Sequence, residues 1–325
     1  MSGSDCAVCY VTDINYLLPS LVSAAGVRRF VPAHRADIFV FLVEEEEQRA
    51  REFNEALAPL DIRVEALDSR SYAAVDSAES RGSYISAATL GRFILDERLP
   101  AACKRIVYLD GDTWIRRDPS ALIEASVPEG RLAAVEDMIS FRSNPLTPSG
   151  RSTVAYFRGL GLDRADGYFN AGVFAVERKT WRALAAEAVD FLKRNMARCR
   201  FYDQSALNAV TKDRRLPLSL KWNFTSPCRF TGLEDRIAPA VYHFTQYTKP
   251  WMGACKPWQE LFAPYQRALA PFETLSLPIK RLDAAEVAAH NRLNLPKNVL
   301  LGAPAVARLA SLPMRIRRYE SSAWL

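Results

Sequence analysis

Short runs of β-branched, aromatic and other apolar residues alternate along this chain with stretches in which apolar residues recur every three or four positions. The first unit is AVCYVTDINYLLPSLVSAAG. Ala7 to Val11 reads as a strand, Asp13 as a polar turn, and Leu17, Leu18, Leu21, Val22 and Ala25 repeat at helical spacing. DIFVFLV, from Asp37 to Val43, predicts the next strand. The acidic run Glu44 to Glu47 then opens a helix reaching Leu57, because the helix dipole favours acids in a first turn. DIRVEAL ends a third strand near Leu67. SYISAATLGRFILDERLP predicts a helix with one buried face, stopped by Pro100, which feeds the strand Arg105 to Leu109. DPSALIEAS offers Asp118 as an N-cap and Pro119 at the first helical position.

RLAAVED predicts another strand, and the loop SFRSNPLTPSGR leads to a helix over Ser152 to Leu160. YFNAGVFAVERKTWRAL gives a strand and a helix start. FYDQSALNAV opens a helix with Asp203 in its first turn. LPLSLKWNF and IAPAVYHFT are late strands. Beyond Pro271 the periodicity weakens. The alternation predicts an α/β protein in layers, with a main domain over residues 1–270 and a small helical appendage over 271–325.

Composition adds little to that picture. The 325 residues are 49% apolar and 25% charged, as in ordinary globular proteins. No apolar run is long enough to span a bilayer, and MSGSDCAVCY has neither a basic n-region nor a signal-type h-region, so a cytoplasmic protein is expected. Cys6 and Cys9 form the single CxxC among six cysteines. No second pair follows at zinc spacing, and the pair lies in a strand, so reduced core cysteines are expected. A net charge of +6 is modest, and no nucleic-acid partner is expected. The placement of charge is more telling. Arg308, Arg315, Arg317 and Arg318 interleave with Leu, Met, Ile, Tyr and Trp, and Glu320 is the one acid among them. Such a tail suits either peripheral docking on an anionic membrane or packing on its own domain.

The candidate chemistry begins at KRIVYLDGDTWI. A fully apolar strand runs straight into Asp110 and Asp112, two like charges at the carboxyl end where open α/β sheets bind ligands. Close carboxylates repel and raise each other's pKa, and a divalent cation removes that conflict. Hard oxygen ligands suit Mg²⁺ or Mn²⁺, often shared with substrate phosphates. A solvated turn is the alternative for this DGD. Phosphatases of the haloacid dehalogenase type carry D-x-D-G-T, whereas Thr113 and Trp114 follow Asp112 here.

YFNAGVFAVERKTWR (Tyr168 to Arg182), FYDQSALNAV (Phe201 to Val210) and HFTQYTKPW (His243 to Trp251) follow YLDGDTWI in that order. With YVTDINYLLPSL at the start, the set resembles glycosyltransferase family 8 over residues 7–258. The resemblance is to the bacterial lipopolysaccharide galactosyl- and glucosyltransferases. It implies a GT-A fold, a Rossmann-like mixed sheet flanked by helices, and retaining, metal-dependent transfer from a UDP-sugar. The resemblance places uridine at Val11, Thr12, Asp13, Asn15 and Tyr16, with Tyr16 stacking on the base and Asp13 accepting from it. Ile14 stands where the family often has a second acid. Arg92 falls at a basic position that reaches nucleotide and sugar, and its other reading is a helix-surface arginine.

Asp110 and Asp112 match the family's metal pair, with Gly111 between them, and His243 matches the third ligand. An imidazole beside carboxylates favours Mn²⁺ over Mg²⁺. Lys249 matches the lysine that pairs with a diphosphate oxygen; a second KPW lies at Lys256 to Trp258, and the family's glycine between His243 and Lys249 is absent. Asn170 and Ala171, with Gly172, match a segment that meets sugar hydroxyls. Asp203 and Gln204 match the pair beneath the donor sugar, and Asp203 also suits an N-cap. The implied partners are the UDP-sugar and a glycan or lipid-linked acceptor, walled by Phe141 to Arg151 and Met252 to Trp258. The competing readings are a glycogenin-like self-glucosylating protein, a UDP-binding module without transfer, and a sugar-nucleotide pyrophosphorylase. The last would need a Gly-rich phosphate loop near the N-terminus, which YVTDINYLLP lacks.

Overall fold

The computed structural model describes residues 4–67, 90–141, 143, 147–163, 167–293 and 303–325. Strands β1 (Cys6–Thr12), β2 (Asp37–Val43), β3 (Ile62–Leu67), β4 (Arg105–Leu109), β6 (Leu132–Glu136), β7 (Phe169–Glu177) and β8 (Arg215–Leu218) form one sheet in the order β3-β2-β1-β4-β7-β6-β8. β3 to β4 run parallel, β7 is antiparallel to both β4 and β6, and β6 is parallel to β8. The sheet is therefore mixed, with the α/β layering expected from the sequence.

β1 and β2 are buried along their whole length, which is why they read as unbroken apolar runs rather than alternating ones. β3 at the edge alternates instead, with Arg63 exposed. One apolar cluster lies on each face of the sheet. Helix α1 (Ile14–Arg28) covers one face; α4 (Arg178–Asn195) covers the other, stacking Trp181 on Phe174 at 4.6 Å. Between them in sequence come α2 (Glu47–Leu57) and α3 (Pro148–Gly159). α5 (Tyr202–Thr211), α6 (Phe262–Leu269), α7 (Ala284–Leu293) and α8 (Ala303–Glu320) follow.

Two features position the site. From β1 the chain moves to β2 and β3 on one side, then returns to β4 on the other. The crevice beyond the carboxyl ends of β1 and β4 is thus a topological switch point, where α/β sheets bind ligands. Asp13 and Asp110 stand at those two ends. A second, three-stranded sheet, β5 (Thr113–Ile115), β10 (Val241–His243) and β9 (Phe224–Thr225), sits directly after the β4 turn.

Several expectations shift on structural grounds. The acidic run does not open α2 as a whole. Glu44 takes a left-handed φ of 61°, Glu46 is the N-cap, and Glu47 alone is in the first turn. α3 starts earlier than expected, because the Thr147 hydroxyl caps Gly150 N–H at 3.0 Å and Pro148 takes the first turn. LPLSLKWNF is two strands in different sheets, β8 and β9, parted by a 3₁₀ turn capped by Ser219. IAPAVYHFT keeps only Val241–His243 as strand. The helix expected before Pro100 is short and broken over Arg92 to Arg98, and its first part, residues 83–89, lies outside the described residues. All six cysteines are buried, as expected for core thiols.

The expected C-terminal appendage is helical, and its end is docked on the main sheet. Ile316 and Tyr319 are buried in the main core. Tyr319 O–H donates to Leu218 O at 2.6 Å and accepts from Glu136 N–H at 3.0 Å, and its ring meets Phe141 edge-on. Trp324 N–H donates to Pro217 O at 2.7 Å, and Leu325 O accepts from Ser219 N–H at 2.9 Å, so the chain end extends the β8 edge. Of the tail's side chains that suited a lipid surface, Ile316 and Tyr319 are thus taken up by the protein's own core, while Met314, Arg317 and Arg318 stay exposed. No described helix is long and apolar enough to cross a membrane.

This docking predicts that Tyr319→Ala costs about 3 to 5 kcal/mol of stability. Tyr319→Phe, which removes only the hydroxyl bridge, costs about 1 kcal/mol. Equilibrium urea unfolding of both variants measures the difference.

Candidate active site

The turn after β4 is built to hold two acids. The Asp110 carbonyl accepts from Thr113 N–H at 3.1 Å and from the Thr113 hydroxyl at 2.8 Å, which closes the DGD turn. Gly111 faces α1, where a Cβ would lie 2.3 Å from Ser20 Oγ. On the far side, Asp110 N–H donates to Gly172 O at 2.7 Å, which ties the turn to β7.

His243 arrives through strand pairing. β10 runs antiparallel to β5 with His243 opposite Thr113, one residue past Asp112, and Phe244 N–H donates to Asp112 O at 2.9 Å. His243 Nε2 then stands 3.1 Å from Asp112 Oδ1 and 3.5 Å from Asp110 Oδ2. The ligand atoms of Asp110, Asp112 and His243 all lie within 4.8 Å of one another, the one such cluster among the described residues. Two oxygens and an imidazole at this spacing fit a divalent cation. The surroundings fit it too. A Cβ on Gly172 would lie 2.4 Å from Asp110 Oδ2 and 2.3 Å from His243 Cε1, so a larger residue there would enter the cluster.

Asn223, fully buried, fixes the imidazole. Its Oδ1 lies 2.9 Å from His243 Nδ1, which leaves Nε2 toward the carboxylates. Asn223 Nδ2 donates to Asn170 Oδ1 at 2.8 Å. Asn170 Nδ2 donates to Asp137 at 3.2 Å and to Gln204 Oε1 at 3.2 Å. Gln204 Oε1 also accepts from Ala171 N–H at 3.1 Å, and its Nε2 donates to Asp137 at 3.3 Å. Asn170, Ala171 and Gln204 therefore form one network with His243. Sequence reasoning missed Asn223 and Asp137; each follows a short apolar strand or turn with no motif around it, and only the D at the end of RLAAVED gave a faint signal.

Charge balance governs the rest. Arg92 is 7% exposed, not a helix-surface arginine. It pairs with Asp110 at 3.1 Å and Asp203 at 3.0 Å, donates to Ala171 O at 3.2 Å, and lies 4.6 Å from the Tyr108 ring centroid. Burial works against its charge, but Asp203, Tyr108 and Asp110 more than reverse that and raise its pKa. Burial raises the pKa of Asp203, and Arg92 draws it part of the way back. Asp203 is in the first turn of α5, whose cap makes no side-chain hydrogen bond, so Asp203 is not the cap. Lys249, 6% exposed, pairs with Asp112 at 2.7 Å and donates to Phe244 O. Burial would raise the Asp112 pKa, but Lys249 and His243 outweigh it and hold the carboxyl well below its usual range. Burial likewise disfavours the imidazolium of His243, yet Asp112 and Asp110 raise its pKa.

The remaining candidates lie along the same crevice. Val11 and Thr12 are buried at the end of β1. Asp13 caps α1 by accepting from Asn15 N–H at 2.9 Å and Tyr16 N–H at 3.1 Å. Asn15, Tyr16 and Lys249 line one cavity of about 600 Å³. Arg92, Asp110, Ala171, Asp203 and Gln204 line a neighbouring one of about 280 Å³. The acceptor wall expected over Phe141 to Arg151 falls partly on residues 142 and 144–146, outside the described residues.

A family model described as glycosyl transferase family 8 matches residues 7–260. Lipopolysaccharide 1,3-galactosyltransferase of Salmonella typhimurium is 25% identical over 257 residues, covering 75% of this chain and 72% of that protein. "Probable galacturonosyltransferase-like 2" of Arabidopsis thaliana is 26% identical over 259 residues, covering 75% of this chain and 76% of that protein. A crystal structure of the galactosyltransferase LgtC, in complex with donor and acceptor sugar analogs, matches with a TM-score of 0.64 at 22% identity. It covers 83% of this chain and 96% of that one, and gives the fold as GT-A.

Asn223→Ala removes the partner of His243 Nδ1 and leaves all three candidate ligands in place. It is expected to weaken divalent-metal binding by about 10- to 100-fold, read by Mn²⁺ titration, with the folded circular-dichroism spectrum kept. Gly172→Ala should abolish that binding, because its methyl group enters the cluster.

Proposed function

This chain belongs to glycosyl transferase family 8, and we propose that it moves a hexose, glucose or galactose, from a UDP-sugar to a glycan or lipid-linked acceptor with retention of configuration. The observation that carries this reading is the Asp110–Asp112–His243 cluster, set beside the buried Asp203 and the oriented Gln204. The matched lipopolysaccharide galactosyltransferase supports a surface-glycan acceptor.

Asp110, Asp112 and His243 would hold the metal, with Mn²⁺ favoured by the mixed oxygen and nitrogen donors. When bound, the ion supplies Lewis-acid stabilisation of the diphosphate leaving group. Every other role falls to side chains. Tyr16 stacks on uracil, with Asn15 and Asp13 at its edge. Lys249, now paired with Asp112, exchanges that partner for a diphosphate oxygen and stabilises the negative charge that develops there. Arg92 favours the ionised form of Asp203 against burial and holds it in place, so that Asp203 accepts from the donor sugar's hydroxyls. Gln204 sets a carbonyl dipole toward the positive charge that grows at the anomeric carbon.

A neutral amide is a poor nucleophile, and Gln204 Oε1 already accepts two hydrogen bonds. Both points favour attack by the acceptor hydroxyl on the face from which UDP leaves. The hydroxyl proton passes to the departing phosphate oxygen.

Incubation with a panel of UDP-sugars and Mn²⁺, without acceptor, is expected to release UDP from one donor. Asp112→Asn and EDTA should each lower that release by roughly a hundredfold or more. Release that survives both changes would remove the metal from the mechanism, and release from no donor, together with no UDP binding, would overturn the reading.

A further inference from the structure

Part of the nucleotide cavity is walled by residues beyond the matched family segment. Ile279 and Lys280 line the same cavity of about 600 Å³ as Asn15, Tyr16 and Lys249. Its lining holds two lysines, Lys249 and Lys280, and no acid. Lys280 Nζ donates to the Tyr247 hydroxyl and lies 4.6 Å from that ring's centroid. Among the described residues it has no carboxylate within ion-pair distance, whereas Lys249 has Asp112. A cavity with a lysine outside ion-pair distance of any described carboxylate, an aromatic ring at Tyr16 and a second lysine suits an anion that carries a flat base.

The segment that carries Lys280 is firmly placed. Leu282 N–H donates to Met252 O at 2.8 Å, and Arg281 donates to Trp251 O at 3.2 Å. Asp283 and Glu286 cap each other's backbone N–H at 2.8 and 2.9 Å, a reciprocal box that starts α7. Asn291 on that helix accepts from Lys256 N–H at 2.8 Å and donates to Ala254 O at 3.0 Å. Gly253 lets the helix come close, since a Cβ there would lie 2.6 Å from Val287 Cγ2. Residues 280–291 thus strap the turn that follows Lys249.

We propose that Lys280 is a second phosphate-contacting residue of the nucleotide pocket, held there by this strap. The inference rests on the UDP-sugar reading above. Lys280 is exposed and partly screened, so its contribution is smaller than that of a buried charge. Calorimetric titration of UDP with Mn²⁺, and of uridine, into the wild type, Lys280→Met and Lys280→Arg tests it. Lys280→Met should weaken UDP binding about fivefold, leave uridine binding unchanged and lower the salt dependence for UDP, and Lys280→Arg should restore most of the affinity. Equal UDP binding by Lys280→Met and wild type would overturn the proposal while leaving the UDP-sugar reading intact. An equal loss for uridine would also overturn it, by showing a packing role. Failure of the wild type to bind UDP would remove both.

Discussion

The pairing of His243 with Thr113 is the constraint on which the site depends. β5 begins one residue past Asp112, so the antiparallel register decides where the imidazole stands. A slip of one residue would turn His243 to the other face and leave two half-buried carboxylates without it. The small three-stranded sheet is the device that prevents this. Its core of Trp114, Phe244 and Tyr265 in edge-to-face contacts makes the register costly to change.

Once the register is set, charge determines the rest. Asp110, Asp112 and Asp203 meet behind the carboxyl ends of the main sheet, and like charges largely withdrawn from solvent need compensation. Arg92 bridges two of the acids, Lys249 takes the third, and His243 faces both Asp110 and Asp112. Three acids are thus met by three basic side chains of the same crevice. This explains how an arginine and a lysine come to be almost wholly buried in the crevice.

The sequence was legible where one physical signal dominated. β1, β2, β4 and β7 stood out because burial on both faces requires unbroken apolar runs. Asp110 and Asp112 stood out because paired acids after such a run have few structural uses. The rest depended on contacts between distant segments. LPLSLKWNF read as one strand because its apolar content is continuous; nothing local reveals that Ser219 caps a turn that sends its halves to different sheets. The surface reading of Arg92 stayed open beside the functional one, because its partners Asp110, Ala171 and Asp203 lie far along the chain. The C-terminal tail read as amphipathic, and only the fold shows that Tyr319 bridges β6 and β8.

Asn170 illustrates why such a site cannot be assembled from motifs alone. Its Oδ1 accepts from Asn223 Nδ2, and Asn223 orients the imidazole of His243. Its Nδ2 donates to Gln204 and Asp137, and these two contacts orient the Gln204 amide. One side chain therefore couples the Asp110–Asp112–His243 cluster to Gln204. An aspartate could accept from Asn223 but could not donate to Gln204, and a leucine of similar volume could do neither. The amide is required because both ends must be set at once, by a group that donates on one side and accepts on the other.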